Sequence, residues 1–265
     1  MEMQDISNKI SVPLREKERL DYVNDDLSLI QKTDGLTFGT DALLLAGFMR
    51  GGGGTGAELG GGSGIISMLL ATRRKLTSIV CAEVQEEYCE LTERNLRLNG
   101  LTDKISAVCR DVRDPASVGR RGGFDAVFTN PPYMKTDSGE RNVSDSKYAA
   151  RHEVHGDIGD FVKCAAYLLK YGGSFCSVYR PDRLADLLYA MRASGIEPKR
   201  MTAVLPDACS SPSMILTEGR AGGKCGLYLT RPLIIYAAGS RTEYSDDMKY
   251  IMDTGSFPGD FYIKK

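Results

Sequence analysis

The segment with the clearest chemical content is Asn130-Pro131-Pro132-Tyr133, which directly follows the apolar run at 125–129. The two prolines restrict the backbone, so that the Asn130 side chain and the Pro131 carbonyl can point into a cleft at the carboxyl end of a strand. Together these oxygens can accept both hydrogens of an –NH₂ group, and Tyr133 can stack on the planar group that carries it. A proline-rich turn without chemistry is the alternative. The motif therefore predicts a site for an amino group.

A glycine-rich turn at 58–64 lies between a predicted strand and an apolar helix, where nucleotide-binding turns belong. Its acid and alternate glycines are Glu58, Gly60, Gly62 and Gly64. Such a turn lets the backbone approach a ligand closely, and the helix that follows presents free N–H groups. The dinucleotide pattern G-x-G-x-x-G fails, because its third glycine position holds Ile65. An acid followed by G-x-G-x-G is instead the form seen in enzymes that use S-adenosylmethionine (SAM).

Two further acids follow the next two predicted strands. Glu83 ends the run at 79–83, where a carboxylate can accept from both hydroxyls of a ribose. Asp111 comes just after the run at 105–109 and can accept from the amino group of the cofactor's adenine. The alternatives are a solvated strand-end carboxylate for Glu83 and a helix or turn cap for Asp111. The order of the motifs favours the cofactor role for both.

Together these segments predict transfer of a methyl group from SAM to an amino nitrogen. Acceptors that hold both N–H groups orient the nitrogen lone pair toward the electrophilic methyl of the sulfonium. The methylated nitrogen becomes acidic as the bond forms, so no strong general base is required. The predicted catalytic residues are Asn130, Pro131 and Tyr133, and Asn130 is also expected to contact the cofactor.

The elements that must position these residues alternate along the chain. β-prone runs occur at 57–59, 79–83, 105–109, 125–129 and 174–178, and helical patterns at 65–74, 86–98 and 157–169 separate them. This alternation is typical of a parallel sheet with helices on both faces. The fold class is therefore α/β, with a seven-stranded, mostly parallel sheet.

Two regions flank this alternating part. The apolar run Ala42–Phe48 predicts a helix that Thr40 or Asp41 can cap. Toward the other end, a helix at 182–194 precedes strands near 201–205 and 227–236, which predict an antiparallel hairpin at one edge of the sheet. We expect an N-terminal extension at 1–36, whose charged stretch at 15–19 is a solvated segment. The methyltransferase domain follows at 37–240, and a C-terminal tail at 241–265.

The segment 134–156 is rich in Asp, Ser and Gly and predicts a substrate loop over the site. Its candidate substrate-binding residues are Lys135, Arg151 and His152. His152 and His155 are the only histidines in the sequence, but no cysteine lies near them, so we expect no metal site.

Composition limits the remaining possibilities. The formal net charge is −1, so a nucleic-acid partner must be bound by a local basic patch. No apolar run approaches the ~20 residues of a membrane helix, and the N-terminus is polar and acidic, unlike a secretory signal. The seven cysteines form no C-x-x-C pair and are expected to be free thiols. We therefore expect a cytoplasmic protein, and the oligomeric state is left open.

The motifs resemble those of class I SAM-dependent methyltransferases with an N-P-P-Y site, which implies a Rossmann-like fold. More specifically, the chain resembles the bacterial tRNA adenine-N6 methyltransferases that act beside the anticodon of a valine tRNA. The residues that carry this resemblance are Gln31, Phe38-Gly39-Thr40-Asp41, Asn130-Pro131-Pro132-Tyr133 and Ala150-Arg151-His152-Glu153. The resemblance implies that Phe38, Thr40 and Asp41 help to close the methionine end of the cofactor. It also implies methylation of adenine N6 in tRNA.

Three other functions remain as alternatives. Protein glutamine-N5 methyltransferases of release factors resemble the chain in the same motif, but they carry a sizeable helical domain before the glycine turn, and little sequence precedes Ala57 here. A DNA adenine methyltransferase would need a large target-recognition insert. A SAM-binding regulator without catalysis would have no use for acceptors aimed beyond the methyl group. We therefore rank the tRNA function first.

Overall fold

The computed structural model describes residues 12–35, 37–131 and 156–262. The strands are β1 (Glu18–Asn24), β2 (Leu27–Lys32), β3 (Thr55–Leu59), β4 (Ser78–Glu83), β5 (Ile105–Cys109), β6 (Phe124–Thr129), β7 (Leu169–Tyr179), β8 (Ile196–Leu205), β9 (Met214–Ala221), β10 (Tyr228–Leu229) and β11 (Leu233–Ile234). The helices are α1 (Thr40–Phe48), α2 (Ile65–Thr72), α3 (Glu86–Leu98), α4 (Pro115–Val118), α5 (Ile158–Leu168), α6 (Leu184–Ala193) and α7 (Asp246–Thr254). Short 3₁₀ turns occur at Pro181–Arg183 and Gly259–Phe261.

Within the described ranges, the main sheet runs in the order β10-β8-β9-β7-β6-β3-β4-β5, and β11 also pairs with β8. Pairing is parallel from β7 to β5, whereas β9 is antiparallel to both β7 and β8. Six of the seven predicted strands correspond to β3 to β8, and the segment of the seventh supplies only β10 and β11, of two residues each. The predicted Rossmann-like fold with an antiparallel edge is confirmed.

The strand order reverses between β3 and β6. From β3 the chain moves outward through β4 to β5, and it then returns to form β6 on the other side of β3. A crevice opens at the carboxyl ends of the strands where a parallel sheet reverses in this way. The glycine turn follows β3 and Asn130 follows β6, so the fold brings both motifs to the same crevice.

Two hydrophobic clusters cover the two faces of the sheet. Neighbouring residues of β6 show this directly, because Phe128 belongs to the cluster with α1 and α2 and Val127 to the cluster with α5 and α6. Both side chains are fully buried. A strand covered on both faces needs a continuous apolar run rather than alternation, which is the pattern that the sequence shows there.

The position of the edge hairpin differs from the prediction. Its second strand is β9, not the segment 227–236, which supplies only β10 and β11, both parallel to β8. Pro232 interrupts that segment, because proline has no N–H to donate to a ladder. The sequence of β9 is polar at Glu218, but this carboxylate is buried and accepts from Arg200 Nε at 2.9 Å. Because Glu218 is paired with Arg200 inside the fold, a polar segment that the prediction left as a connection forms a strand between β8 and β7.

The charged stretch at 15–19 is not entirely solvated, which differs from the prediction. Glu18 lies in β1, and its carboxylate accepts from Arg94 Nη1 at 2.6 Å and from Nη2 at 2.8 Å, with both side chains more than nine-tenths buried. The Arg94 guanidinium holds the pKa of Glu18 below its ordinary value. This pair attaches the β1–β2 hairpin to α3.

The C-terminal segment packs onto the same core. Met248, Ile251, Phe257 and Phe261 are all buried in the cluster with α1 and α2. The predicted domain boundaries at 36 and 240 stay predictions. No described helix has both the length and the apolar character that crossing a membrane requires.

Candidate functional site

A cavity of about 750 Å³ lies at the carboxyl ends of β3, β4 and β6. We call it the main cavity. It brings together nine of the residues expected at the site, namely Phe38, Thr40, Asp41, Glu58, Gly60, Gly62, Glu83, Asn130 and Pro131. Motifs that are far apart in sequence thus line one space, as the strand order requires.

The glycine turn is bonded to the end of β4. The N–H groups of Gly60 and Gly61 donate to the Ala82 carbonyl at 2.9 and 3.0 Å. Gly62 has φ +55°, a left-handed conformation that favours glycine, and it faces open space rather than protein. Gly64 is buried behind the turn, where an added Cβ would lie 2.7 Å from Thr92 Cγ2. The absence of a side chain at Gly62 therefore leaves space for a ligand, whereas the absence of one at Gly64 allows the turn to pack against α3.

Glu83 lies where the prediction placed it, at the end of β4 on the wall of the main cavity. Its two carboxylate oxygens accept from Gly62 N at 3.0 Å and from Gln85 N at 2.9 Å. These bonds fix the carboxylate against the glycine turn. Each oxygen has a second lone pair, so the group can also accept from two ribose hydroxyls.

Glu58 is hydrogen-bonded to residues that pack under the glycine turn. It is buried, and its Oε2 accepts from Ser67 N at 3.0 Å, from the Ser67 hydroxyl, and from Cys81 Sγ at 3.6 Å. Burial raises the pKa of the Glu58 carboxyl to about 7, and the bonds from Ser67 oppose the rise. This side chain therefore anchors the start of α2 beneath the glycine turn.

Asn130 is oriented by Asp41. Its Nδ2 donates to Asp41 Oδ2 at 2.7 Å, across 89 positions of sequence. A carboxylate only accepts, so this bond assigns the amide nitrogen to the Asp41 side and the amide oxygen Oδ1 to the other. The predicted capping of α1 by Thr40 or Asp41 is wrong, because Gly39 is the N-cap residue and no side-chain cap bond forms. Asp41 instead contacts the site.

Gly39 and Gln31 make this contact possible. A Cβ at Gly39 would lie 2.7 Å from Asp41 Oδ1, so a larger residue would displace the carboxylate. The buried side chain of Gln31 accepts from Phe38 N and donates to Asp21 of β1. The hairpin therefore holds the segment before α1, and α1 presents Asp41 to the cavity.

Some expected site residues are placed differently or lie outside the described residues. The Asp111 carboxylate accepts from Arg113 N at 2.8 Å and from Arg113 Nε at 3.0 Å, which is the turn geometry of the alternative interpretation. The lining of the main cavity at this point comes from Arg110 and Val112. Pro132 and the predicted Tyr133, Lys135, Arg151 and His152 lie outside the described residues. Their roles stay predictions.

The structure adds residues that the motifs did not indicate. Phe161 and Arg180 line the main cavity, and an added Cβ at Gly60 would lie 3.1 Å from the Phe161 ring. Ser213 and Met214 close it from the start of β9. Arg180 directly follows β7, so its position at a strand's carboxyl end was a usable signal. Phe161 lies on a helix and carried no such signal.

The main cavity fits the predicted cofactor. Glu83 could accept from a ribose, and Val84 and Val112 offer apolar surface to an adenine ring. Gly60 and Gly62 leave room for the chain between the ribose and the methionine end. Across the described ranges, no group of three or more His, Cys, Asp or Glu is placed to hold a metal ion.

Comparisons with known proteins identify the family of this chain. Residues 32–183, more than half of the chain, match the family described as Methyltransferase small domain. The tRNA1(Val) (adenine(37)-N6)-methyltransferase of Porphyromonas gingivalis is 27% identical over 165 residues, which are 62% of this chain and 64% of that protein. The release factor glutamine methyltransferase of Clostridium botulinum is 30% identical over 86 residues, 32% of this chain and 30% of that protein. The chain thus spans less than two thirds of the length of these relatives.

A solved structure supports the fold. The crystal structure of a predicted O-methyltransferase from Agrobacterium tumefaciens superimposes with a TM-score of 0.67 at 22% identity, and the match covers 82% of this chain and 98% of that one. The chain belongs to the methyltransferase small domain family, and SAM is its cofactor.

Proposed function

We propose that this protein transfers a methyl group from SAM to the exocyclic amino group of adenine, N6, in tRNA. The observation that carries the proposal is the bond from Asn130 Nδ2 to Asp41 at 2.7 Å. It directs the amide oxygen of Asn130 away from Asp41, where this oxygen can accept from a substrate N–H. An amino group is a substrate that can use such an acceptor together with the Pro131 carbonyl.

In the proposed reaction, Asn130 Oδ1 and the Pro131 carbonyl accept one N–H each and hold the amino group in a pyramidal geometry. That orientation directs the nitrogen lone pair out of conjugation with the ring. The cofactor supplies an electrophilic methyl on its sulfonium. After transfer, the positively charged nitrogen loses a proton to water. The protein therefore contributes orientation and the exclusion of solvent rather than a strong base.

Two features support the choice of tRNA. The relative from Porphyromonas gingivalis is named as a tRNA adenine-N6 methyltransferase, and its match covers 62% of this chain. The resemblance in Gln31 and in Phe38-Gly39-Thr40-Asp41 gains a physical meaning, since these residues orient Asn130 through the hairpin and α1. A cytoplasmic location, where tRNA is modified in bacteria, is part of the same proposal.

A release factor glutamine is the second candidate substrate. The relative from Clostridium botulinum is named for that activity, and an amide –NH₂ can meet the same two acceptors. The two candidates differ in the molecule that carries the amino group, not in the chemistry at Asn130.

The decisive experiment offers both substrates to the same protein. Purified protein is incubated with labelled SAM and either bulk tRNA lacking the modification or an unmethylated release factor, and digested products are identified by mass spectrometry. We expect N6-methyladenosine in tRNA and no label in the factor. Label in glutamine alone would replace the substrate, and label in neither would contradict the proposed activity.

A further inference from the structure

A second, smaller space adjoins the main cavity between the start of α5 and α6. This side groove has a volume of about 340 Å³ and shares Pro131, Phe161 and Arg180 with the main cavity. Pro131 lies between the two spaces. A substrate whose amino group meets Asn130 therefore has its adjoining part at the entrance of the side groove.

The lining of the side groove suits a flat, partly apolar group. Tyr189 of α6 lines it with a side chain that is 77% exposed, and Tyr179 at the end of β7 is buried beside it. Ala190 and Ala193 continue the apolar surface along the same helix. An exposed aromatic ring beside small apolar residues offers a stacking surface to a nucleobase.

The charged residues of the groove favour a ligand with a single negative charge. Lys163, Arg180 and Arg183 line it, against the carboxylates of Asp157 and Asp186. Asp186 pairs with Arg183 at 2.7 Å, and Asp157 accepts from Asp160 N as the cap of α5. Arg180 and Lys163 also have carboxylate partners, Asp182 at 2.7 Å and Asp160 at 3.9 Å, but neither partner lines the groove. The lining itself therefore carries three cations and two carboxylates, a surplus that fits one phosphodiester of an RNA strand.

We propose that the side groove binds the nucleoside that flanks the methylated adenosine in a single-stranded segment of RNA. Its base stacks on Tyr189, and its phosphate lies near Lys163 and Arg183. This proposal rests on the proposed function, because it assumes an RNA substrate at Asn130. In this proposal the side groove selects the nucleotide next to the methylated adenosine, whereas Asn130 and Pro131 hold the amino group that is methylated.

The first test removes the stacking surface. Tyr189→Ala should raise the KM for tRNA by about tenfold, since stacking on an aromatic side chain is worth that much or more. Tyr189→Phe should restore most of the loss, and SAM affinity should stay at the wild-type value in both variants. Tyr171→Ala is the matched control, because Tyr171 is 89% exposed but lies near the amino end of β7, whereas the groove lies at the carboxyl end of that strand.

The second test removes a charge. Arg183→Gln should weaken tRNA binding and flatten its dependence on salt concentration, as measured by fluorescence anisotropy with the demethylated cofactor present. Arg192→Gln is the control, since Arg192 lies near the end of α6, the helix that begins directly after Arg183, and its 67% exposed side chain pairs with Glu197 outside the groove. Thermal unfolding of each variant checks that the fold is retained.

The outcomes separate this proposal from the proposed function. If Tyr189→Ala methylates tRNA with the wild-type KM, the groove proposal is wrong and the proposed function stands. If Tyr171→Ala weakens tRNA binding as much as Tyr189→Ala, the effect is not local to the groove and the proposal is also wrong. A wild-type protein that methylates a release factor but no RNA would overturn both.

Discussion

The two halves of the main cavity are held in different ways. In the cofactor half, neighbouring βα units lock the glycine turn: Glu83 and Thr92 bond to Gly62, and Asn95 Nδ2 donates to the Ser63 carbonyl at 3.0 Å. In the acceptor half, the amide of Asn130 is oriented by Asp41, which comes from a helix before the sheet. Contacts between consecutive βα units, 21 to 32 residues apart, thus build the first half, and a contact between residues 89 positions apart builds the second.

This difference implies that cofactor binding and methyl transfer can be separated by mutation. Changes in the cofactor half should alter affinity for SAM and leave the rate at saturating SAM close to wild type. Changes in the acceptor half should do the opposite. The following predictions test that separation, beginning with the largest expected effect.

Asn130→Ala should lower the rate of methyl transfer at least about a hundredfold, because one of the two acceptors that orient the amino group is lost. Cofactor affinity should change little, since the glycine turn and Glu83 remain. Single-turnover transfer of labelled methyl to tRNA measures the rate, and calorimetric titration measures SAM binding. Transfer at the wild-type rate would contradict the amino-methylation mechanism.

Asp41→Ala should lower kcat by about tenfold, the size expected for the loss of one charge-assisted hydrogen bond. Asp41→Asn keeps an acceptor oxygen for Asn130 Nδ2 and should recover most of the activity. The comparison of kcat with the KM for SAM decides the role of this residue. A higher KM for SAM with unchanged kcat would move Asp41 into the cofactor half.

Glu83→Ala should weaken SAM binding by about tenfold or more, because a bidentate acceptor for the ribose is lost. At saturating SAM the transfer rate should be retained. Glu86→Ala is the control, since Glu86 is an exposed acid in the first turn of α3. If both variants bind SAM as tightly as the wild type, the ribose partner lies elsewhere.

The smallest change in activity is expected at Glu58, where the effect is on stability. Burial raises the pKa of its carboxyl from 4.5 to about 7, so the folded protein binds this proton more tightly than the unfolded chain does. The resulting stabilisation is complete below pH 4.5 and is lost as the pH rises through 7. Wild-type protein should therefore lose stability relative to Glu58→Gln across that range.

Urea unfolding of both proteins at a series of pH values measures this difference. Glu58→Gln serves as the reference, because the two proteins share every other titrating group. A constant difference in the free energy of unfolding between pH 4.5 and 7 would show that Glu58 is ionised throughout and that the anchor of α2 is a carboxylate.

Much of the cofactor half was predictable from sequence. Two consecutive predicted strands end at the motif residues Glu58, Gly60, Gly62 and Glu83. The carboxyl ends of parallel strands must meet at one edge of the sheet, so these residues were expected together. Asn130 follows a third run and reaches the same crevice for the same reason. Asp111 shows the limit of this argument, since a residue just after a strand can equally form a turn with its neighbour Arg113.

The sequence by itself determined the alternation of strands and helices from β3 to β7 and the motifs at the ends of these strands, because these depend on short apolar runs and on the turns that connect them. Only the tertiary structure decided the contact of Asp41 with Asn130, the clamp of Gln31 on Phe38, and the identity of β9 as a central strand. Each depends on which distant elements pack together, and packing decides whether a polar side chain such as Glu218 is solvated or paired inside the fold.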